Sequence, residues 1–418
     1  MILGARRIGK STIAEEFAKK EYKSYLLIDF SVAPEEVHRL FRDISDLNYV
    51  FMRLQLLYHV NLVERKSVII FDEVQIEPYA RQAIKHLVKD RRYDYIETGS
   101  LISVRKSSTD IVIPSEETRI EMFPMDYEEF RWALGDTATV PLLRQLYESK
   151  TPLGDIHRQM MREFRLYMLV GGMPQAVETY IKTNNLGKVD MTKRDILSLY
   201  EEDFWKLDKD GRATAMFNAI PSQLSKNTAR YKASEVLPDE RSARLTDVVE
   251  LLGSTMAANV AYHSNDPNVG LELTRDRDRF KIYMADTGLF VTQAFRDKAV
   301  TENVIYDKLL SDKLSTNLGY VYENVVSQML RAIGKKLFYH TMPIDGGKKR
   351  YEVDFLLSDG FKLSPIEVKS SGYKTHASLD RFCEKYSDRT KEKYVIYTKD
   401  LYRANGVDYI PVYMTMFI

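Results

Sequence analysis

Cysteine is almost missing from this sequence. Cys383 stands alone among 418 residues, which rules out an internal disulfide framework and any cysteine-ligated zinc site. Long apolar runs are missing too: no stretch approaches the ~18 residues of a transmembrane helix, and no cleavable leader pattern opens the chain. A cytoplasmic protein with no membrane partner is the expectation. An excess of one charge is also lacking, since 61 Lys and Arg face 60 Asp and Glu for a net charge of +1. Any nucleic-acid surface must therefore be a local patch. Internal repeats and low-complexity tracts are absent as well. What remains, 44% hydrophobic and 29% charged, is ordinary globular composition at a length that calls for two to four domains.

The most informative stretch runs from Gly4 to Thr12, Gly-Ala-Arg-Arg-Ile-Gly-Lys-Ser-Thr, and fits G-x-x-x-x-G-K-[ST] at each fixed position. Gly4 and Gly9 let a loop curl so that backbone N–H groups point at a β-phosphate. Lys10 then reaches the β and γ oxygens, Ser11 ligates Mg²⁺, and Thr12 continues the phosphate-binding turn. A helix starting near Ser11, with Ile13, Ala14, Phe17 and Ala18 expected on its inner face, aims its positive dipole end at the phosphates. The run Ser67 to Phe71 reads as a buried parallel strand that delivers Asp72 and Glu73 at its C-terminal end. Asp72 is the expected Mg²⁺ partner and Glu73 the expected base for the attacking water. A third strand, Tyr93 to Glu97, leads into Thr98-Gly99-Ser100, where Ser100 or Thr98 is a candidate γ-phosphate sensor.

Met1 lies three residues before Gly4, too few for a full strand there, so the natural protein is expected to extend upstream. From Pro141 to about Leu207 the periodicity is helical, broken by Gly171-Gly172-Met173-Pro174 and by Asn184-Asn185-Leu186-Gly187. These helices are expected to form a lid. Shorter helices, including Leu245 to Ala257, followed by strands such as Phe280 to Met284, suggest a winged-helix-like module. The expected domains are 1–135, a P-loop ATPase core; 136–210, the helical lid; 211–297, the winged-helix-like region; and 298–418, a nuclease-like domain.

The last third holds a second constellation. In Tyr351 to Leu357 the period is two, with Val353, Phe355 and Leu357 on one face and Asp354 on the other. Ile366-Glu367-Val368-Lys369 repeats the arrangement, with Glu367 and Lys369 about 7 Å apart along a strand. Asp354 and Glu367 are hard oxygen ligands suited to Mg²⁺ or Mn²⁺, and Lys369 could activate water or stabilise charge on a phosphate. Glu323, on a helix expected from Tyr320 to Ile333, would add a third carboxylate. Lys335, Lys336, Lys348, Lys349 and Arg350 offer phosphate contacts. Charges alternating with Val and Phe also occur on any half-exposed strand.

Nine stretches taken in order (GARRIGKST, VIIFDEVQ, YIETGS, FPMDYEEF, YMLVGGMPQAV, KIYMADTGLF, LGYVYENVV, YEVDFLL and IEVKSS) resemble the prokaryotic AAA-type ATPases in which a P-loop module is joined to a C-terminal domain of unknown function with a restriction-endonuclease-like, PD-(D/E)xK, fold. The resemblance implies an α/β P-loop sheet and a C-terminal α/β domain. It places nucleotide roles on Gly4, Gly9, Lys10, Ser11, Asp72 and Glu73, and nuclease-like roles on Glu323, Asp354, Glu367 and Lys369. It also implies further residues upstream of Met1. Two functions stay open: ATP hydrolysis gating a metal-dependent nuclease on duplex or branched DNA, or an ATP-driven switch whose nuclease-like domain is a protein-binding scaffold. A homo-oligomer would complete its ATP site with an arginine from a neighbour, and Arg119, Arg6 and Arg7 are the candidates.

Overall fold

Short strands of the first 123 residues pair into one sheet around a central run, Ser67–Asp72, that is buried along its whole length. The structure, a computed structural model, describes the chain except residues 100–114, 227, 239–241, 298–305, 307–308, 312–318 and 345–349, and only the backbone of 242, 243 and 359. The described residues form two compact units: Met1–Phe123 with Ser254–Met256, and Pro124–Gly253 with Ala257–Ile418. Expected sensor Ser100 and the basic residues Lys348 and Lys349 lie outside the described residues.

In the first unit, β1 (Ile2–Leu3), β2 (Ser24–Asp29), β3 (Ser67–Asp72), β4 (Asp94–Gly99) and β5 (Ile120–Glu121) lie in the order β2-β3-β4-β1-β5, all parallel. Every residue of β3 is buried, as a continuous apolar run between two neighbours requires. Alternate residues of β3 face opposite layers. Val68 and Ile70 pack with Ala14 and Ala18 of α1 (Lys10–Glu21), whereas Ile69 and Phe71 join a core with α2 (Glu35–Arg42), α3 (Leu47–Tyr58) and α4 (Pro78–Asp90). Helices thus cover both faces of a parallel sheet, the α/β architecture the sequence pattern predicts. One detail differs. Ala14 and Ala18 are the α1 residues that meet β3, and Ile13 and Phe17, expected beside them, are 52% and 49% exposed. Their larger side chains lie off the narrow stripe that meets β3.

The second unit begins with helices α5 (Tyr127–Ala133), α6 (Thr139–Glu148), α7 (Ile156–Val170), α8 (Pro174–Thr183) and α9 (Leu186–Leu207), in keeping with the helical period of that segment. An Asp126–Glu129 capping box starts α5 directly after Pro124, and the Gly171–Pro174 break separates α7 from α8. Four further helices follow, α10 (Arg212–Asn218), α11 (Ile220–Ser225), α12 (Ala233–Val236) and α13 (Ser242–Ser254). Next come β6 (Ala258–Ser264), β7 (Arg275–Met284), α14 (Thr287–Ala294), α15 (Gly319–Ala332), β8 (Phe338–Pro343), β9 (Arg350–Asp359), β10 (Lys362–Lys369), α16 (Ala377–Lys385), β11 (Tyr394–Tyr397), β12 (Tyr402–Ala404) and β13 (Val407–Pro411). The strands form one mixed sheet in the order β12-β13-β11-β10-β9-β8-β6-β7.

That order adds a partner to the expected winged-helix-like region. Its strands, β6 and β7, pair antiparallel with each other, but β6 also pairs parallel with β8 through Tyr262–Phe338 and His263–Tyr339. The hairpin is the edge of the C-terminal sheet, so the expected boundary at 297/298 falls between strands of a single sheet. Alternation within Phe280 to Met284 reveals a strand that pairs with its neighbour β6, whereas the second partner of β6, β8, is distant in sequence.

Two glycine-bearing stretches lock the helices to this unit. Gly172 donates its N–H to Asp286 Oδ2 at 2.5 Å, and Asp286 caps α14 by accepting from Leu289 N at 2.8 Å. A Cβ on Gly172 would stand 2.1 Å from Met125 O, and one on Gly288 would stand 2.6 Å from Gly171 Cα. Glycine is needed there for close backbone approach. Beside them the buried ammonium of Lys193 donates to Leu169 O at 2.6 Å and Gly288 O at 3.1 Å, joining α7, α9 and α14.

Candidate functional site

Strand order brings three chain segments together at one edge of the first sheet. β4 lies between β1 and β3, with Thr98 in register with Ile2 and Glu97 with Phe71, so the C-terminal ends of all three strands are neighbours. In open parallel sheets this is where ligands bind. The Gly4–Thr12 loop leaves β1, Asp72 and Glu73 end β3, and Thr98 ends β4.

The loop has the backbone its glycines foretell. Gly9 caps α1 at φ 90°, in the left-handed region that favours glycine, and Gly4 has no room for a side chain because a Cβ would sit 2.5 Å from Met122 O. Lys10 is buried and its ammonium donates to Ala5 O at 2.8 Å and Gly4 O at 3.2 Å, which curls the loop around its own lysine. Thr12, one turn-position further, is exposed. Ser11 donates its hydroxyl to Asp72 Oδ1 at 2.7 Å across 61 residues of sequence. Thr98 donates to the same Asp72 oxygen and accepts from the N–H of Glu73 at 3.4 Å. Of the two expected sensor residues, Thr98 is thus bonded to both acidic residues.

Glu73 carries a φ of 54°, an uncommon conformation for a residue other than glycine, and Gln75 donates its amide to the Glu73 carboxylate. Strain of this kind concentrates at functional sites, because the surrounding structure must hold it in place. Ser11 and Asp72 present hard oxygens to one point, a donor set that fits Mg²⁺. Arg119 is paired with Glu117 at 2.8 Å, and Glu117 is itself paired with the buried Arg81 at 3.0 Å. Nearby, burial and the charge of Glu117 push the Glu97 carboxyl up to about 7.

The second constellation assembles differently from its reading in the sequence. β9 and β10 are antiparallel with Phe355 opposite Ile366, which sets Asp354 beside Glu367, and Asp354 Oδ2 accepts from Val368 N at 2.7 Å. Glu367 pairs with Lys369 at 2.7 Å and accepts from Leu379 N at 3.2 Å. Glu323, on α15, is turned toward β7: it accepts from Lys281 Nζ and from Tyr283 Oη, each at 3.2 Å. Lys281 also forms a close ion pair with Glu352. Among the described residues no three acidic, histidine or cysteine side chains converge as a metal-binding group. The expected Mg²⁺ or Mn²⁺ ligands Asp354 and Glu367 lie beside each other, and they and Glu323 each have their own hydrogen-bond partners.

Burial raises the Asp354 carboxyl well above the ordinary carboxylate range, and Glu323, Glu352 and Glu367 add to the rise. Burial alone would lower the Lys281 ammonium, but Glu323 and Glu352 outweigh it and hold it well above its ordinary value. Lys281, Tyr283 and Glu352 escape a reading of sequence because each looks like the outward residue of an alternating strand.

Fold and site together define a parallel α/β nucleotide-binding module followed by a helical and mixed-sheet region. Residues 1–131 match the family model of an AAA domain, residues 161–299 that of a domain of unknown function (DUF8612), and residues 318–414 that of another domain of unknown function (DUF4143). The chain thus carries an AAA-type ATPase domain joined to two domains whose roles are unassigned. No curated protein matches it. Among solved structures it is similar to protein VC1899 from Vibrio cholerae, at 12% identity over 94% of each chain and a TM-score of 0.19. Among the described residues no helix is long and apolar enough to cross a membrane.

Proposed function

We propose that the first unit binds ATP and hydrolyses it to ADP and phosphate, and that the nucleotide state is read out through the second unit. The observation that carries this reading is the Ser11–Asp72–Thr98 hydrogen-bond cluster beside the Lys10 loop, formed at three adjacent strand ends. Backbone N–H groups of Gly4 to Thr12 and the N-terminus of α1 would cradle the phosphates. Lys10 would exchange the carbonyls of Gly4 and Ala5 for the β and γ oxygens of ATP. Ser11 and Asp72 would hold Mg²⁺, which when bound neutralises charge on the transferred phosphoryl group. Glu73, one residue beyond Asp72, would orient the attacking water and take its proton. Thr98, bonded to both acidic residues, would fix the distance between the ion-holding and water-holding carboxylates.

For the second unit we favour a protein-binding scaffold over a metal-dependent nuclease acting on duplex or branched DNA. Asp354, Glu367 and Lys369 have the residue types for the nuclease, but each carboxylate is already satisfied by a lysine or a backbone N–H. Binding of a fluorescent ATP analogue tests the first reading. A lysine donating to phosphate contributes about 1.5–3 kcal/mol, so Lys10→Ala should weaken binding roughly 10- to 100-fold. Unchanged affinity would place the nucleotide elsewhere.

A further inference from the structure

The β6–β7 hairpin, by joining the C-terminal sheet at its edge, delivers a lysine to Glu323, one of the carboxylates from which the sequence would build a metal site. Lys281 is 4% exposed, and its ammonium lies 3.2 Å from Glu323 and in close contact with Glu352. Tyr283, two residues along the same strand and so on the same face, donates to the same oxygen of Glu323. The Tyr339 ring centroid is 5.7 Å from Lys281 Nζ, a further contact that favours a cation there. A buried charge is costly unless paired, so a lysine in this place needs these carboxylates as much as they need it.

Divalent ions demand oxygens at about 2.0–2.6 Å. An ammonium bonded to Glu323 and Glu352 excludes such an ion from the space between them. Asp354 stands two residues from Glu352 on β9 and so on the same face of that strand. We propose that the ammonium of Lys281 is the fixed cation of the Glu323–Glu352–Asp354 cluster, serving in place of a metal ion, so that the second unit takes no Mg²⁺ or Mn²⁺ there. The inference rests on the scaffold reading of the second unit and gives it a cause: the counter-charge is covalently part of the chain.

Removing that cation should create what the wild type lacks. Mn²⁺ binding to the full chain without nucleotide, counted by electron paramagnetic resonance, is compared for wild type, Asp354→Asn, Lys281→Met and Lys281→Met/Glu352→Gln. Wild type and Asp354→Asn should bind the same number of Mn²⁺ equivalents. Lys281→Met should gain about one equivalent, lost again in the double variant. A tight equivalent present in wild type and missing in Asp354→Asn overturns the proposal, as does a folded Lys281→Met protein with no gain. Should Lys281→Met fail to fold, as a cluster of unpaired carboxylates could cause, the first pair decides alone. Because no step uses ATP, failure here is separate from failure of the Lys10→Ala binding test. A wild-type Mn²⁺ site dependent on Asp354 would return the nuclease reading, whereas a folded variant without gain would leave the scaffold reading in place and remove only its stated cause.

Discussion

Thr98 is the residue whose role the structure sharpens most. Its hydroxyl gives one hydrogen bond to Asp72 and receives another from the N–H of Glu73. Thr98→Val keeps the shape and removes both. With net hydrogen bonds worth about 0.5–1.5 kcal/mol each, kcat for ATP hydrolysis should fall roughly tenfold while affinity for ATP changes less than threefold. An unaltered kcat would make Thr98 a packing residue. Gly4, Gly9, Lys10 and Ser11 stand out in the sequence because the loop's pattern is local, at fixed spacing within nine residues, and Asp72 and Glu73 because they end a continuous apolar run. Lys281 could not, since its partner Glu323 is 42 residues away and nothing local distinguishes it from a solvated lysine on a strand.

At the scale of elements, the contacts of β6, β8, α7 and α14 make two predictions about stability. Gly172→Ala would press a Cβ to 2.1 Å from the Met125 carbonyl, and overpacking of backbone costs about 1–3 kcal/mol or more. Calorimetry should show the melting transition of the second unit lowered while ATP binding by the first is kept. The second concerns His263 on β6 and His340 on β8, whose buried rings stack 5.3 Å apart. Burial lowers both to about 4; Arg279 lowers His263 further, whereas the Ser264 carbonyl partly supports the His340 proton. The unfolded chain takes up these protons near 6.5, so between pH 6.5 and 4 unfolding binds protons and acid favours it. A difference of about 2.5 in pKa is worth about 3 kcal/mol per ring when fully expressed. Urea midpoints of the second unit should therefore drop from pH 7 to 4.5, and less steeply in His340→Gln. Equal slopes would show that other groups carry the acid sensitivity. Helices and strands were legible from their periods, and the 171–173 break from its paired glycines. The pairing of β6 with β8 was not, because strand alternation carries no information about which distant strand completes the ladder.

For the whole molecule, the AAA-type domain and its parallel sheet follow from motifs that lie near one another in sequence, whereas the charged cluster of the second unit exists only once β7, α15, β9 and β10 are assembled. Residue types there predicted metal ligands; topology supplied a lysine among them. Purified protein should accordingly leave plasmid and branched DNA intact with Mg²⁺ or Mn²⁺, with or without ATP. Nicking that disappears in Lys369→Ala would restore the nuclease. The account stands chiefly on ATP hydrolysis by the first unit, and the direct test is steady-state turnover of wild type beside Glu73→Gln, with ATP binding measured on both. A general base contributes about 10²–10⁴-fold, so the variant should bind ATP as wild type does and turn it over at least ~100-fold more slowly. Normal turnover by Glu73→Gln, or none by the wild type, would contradict it.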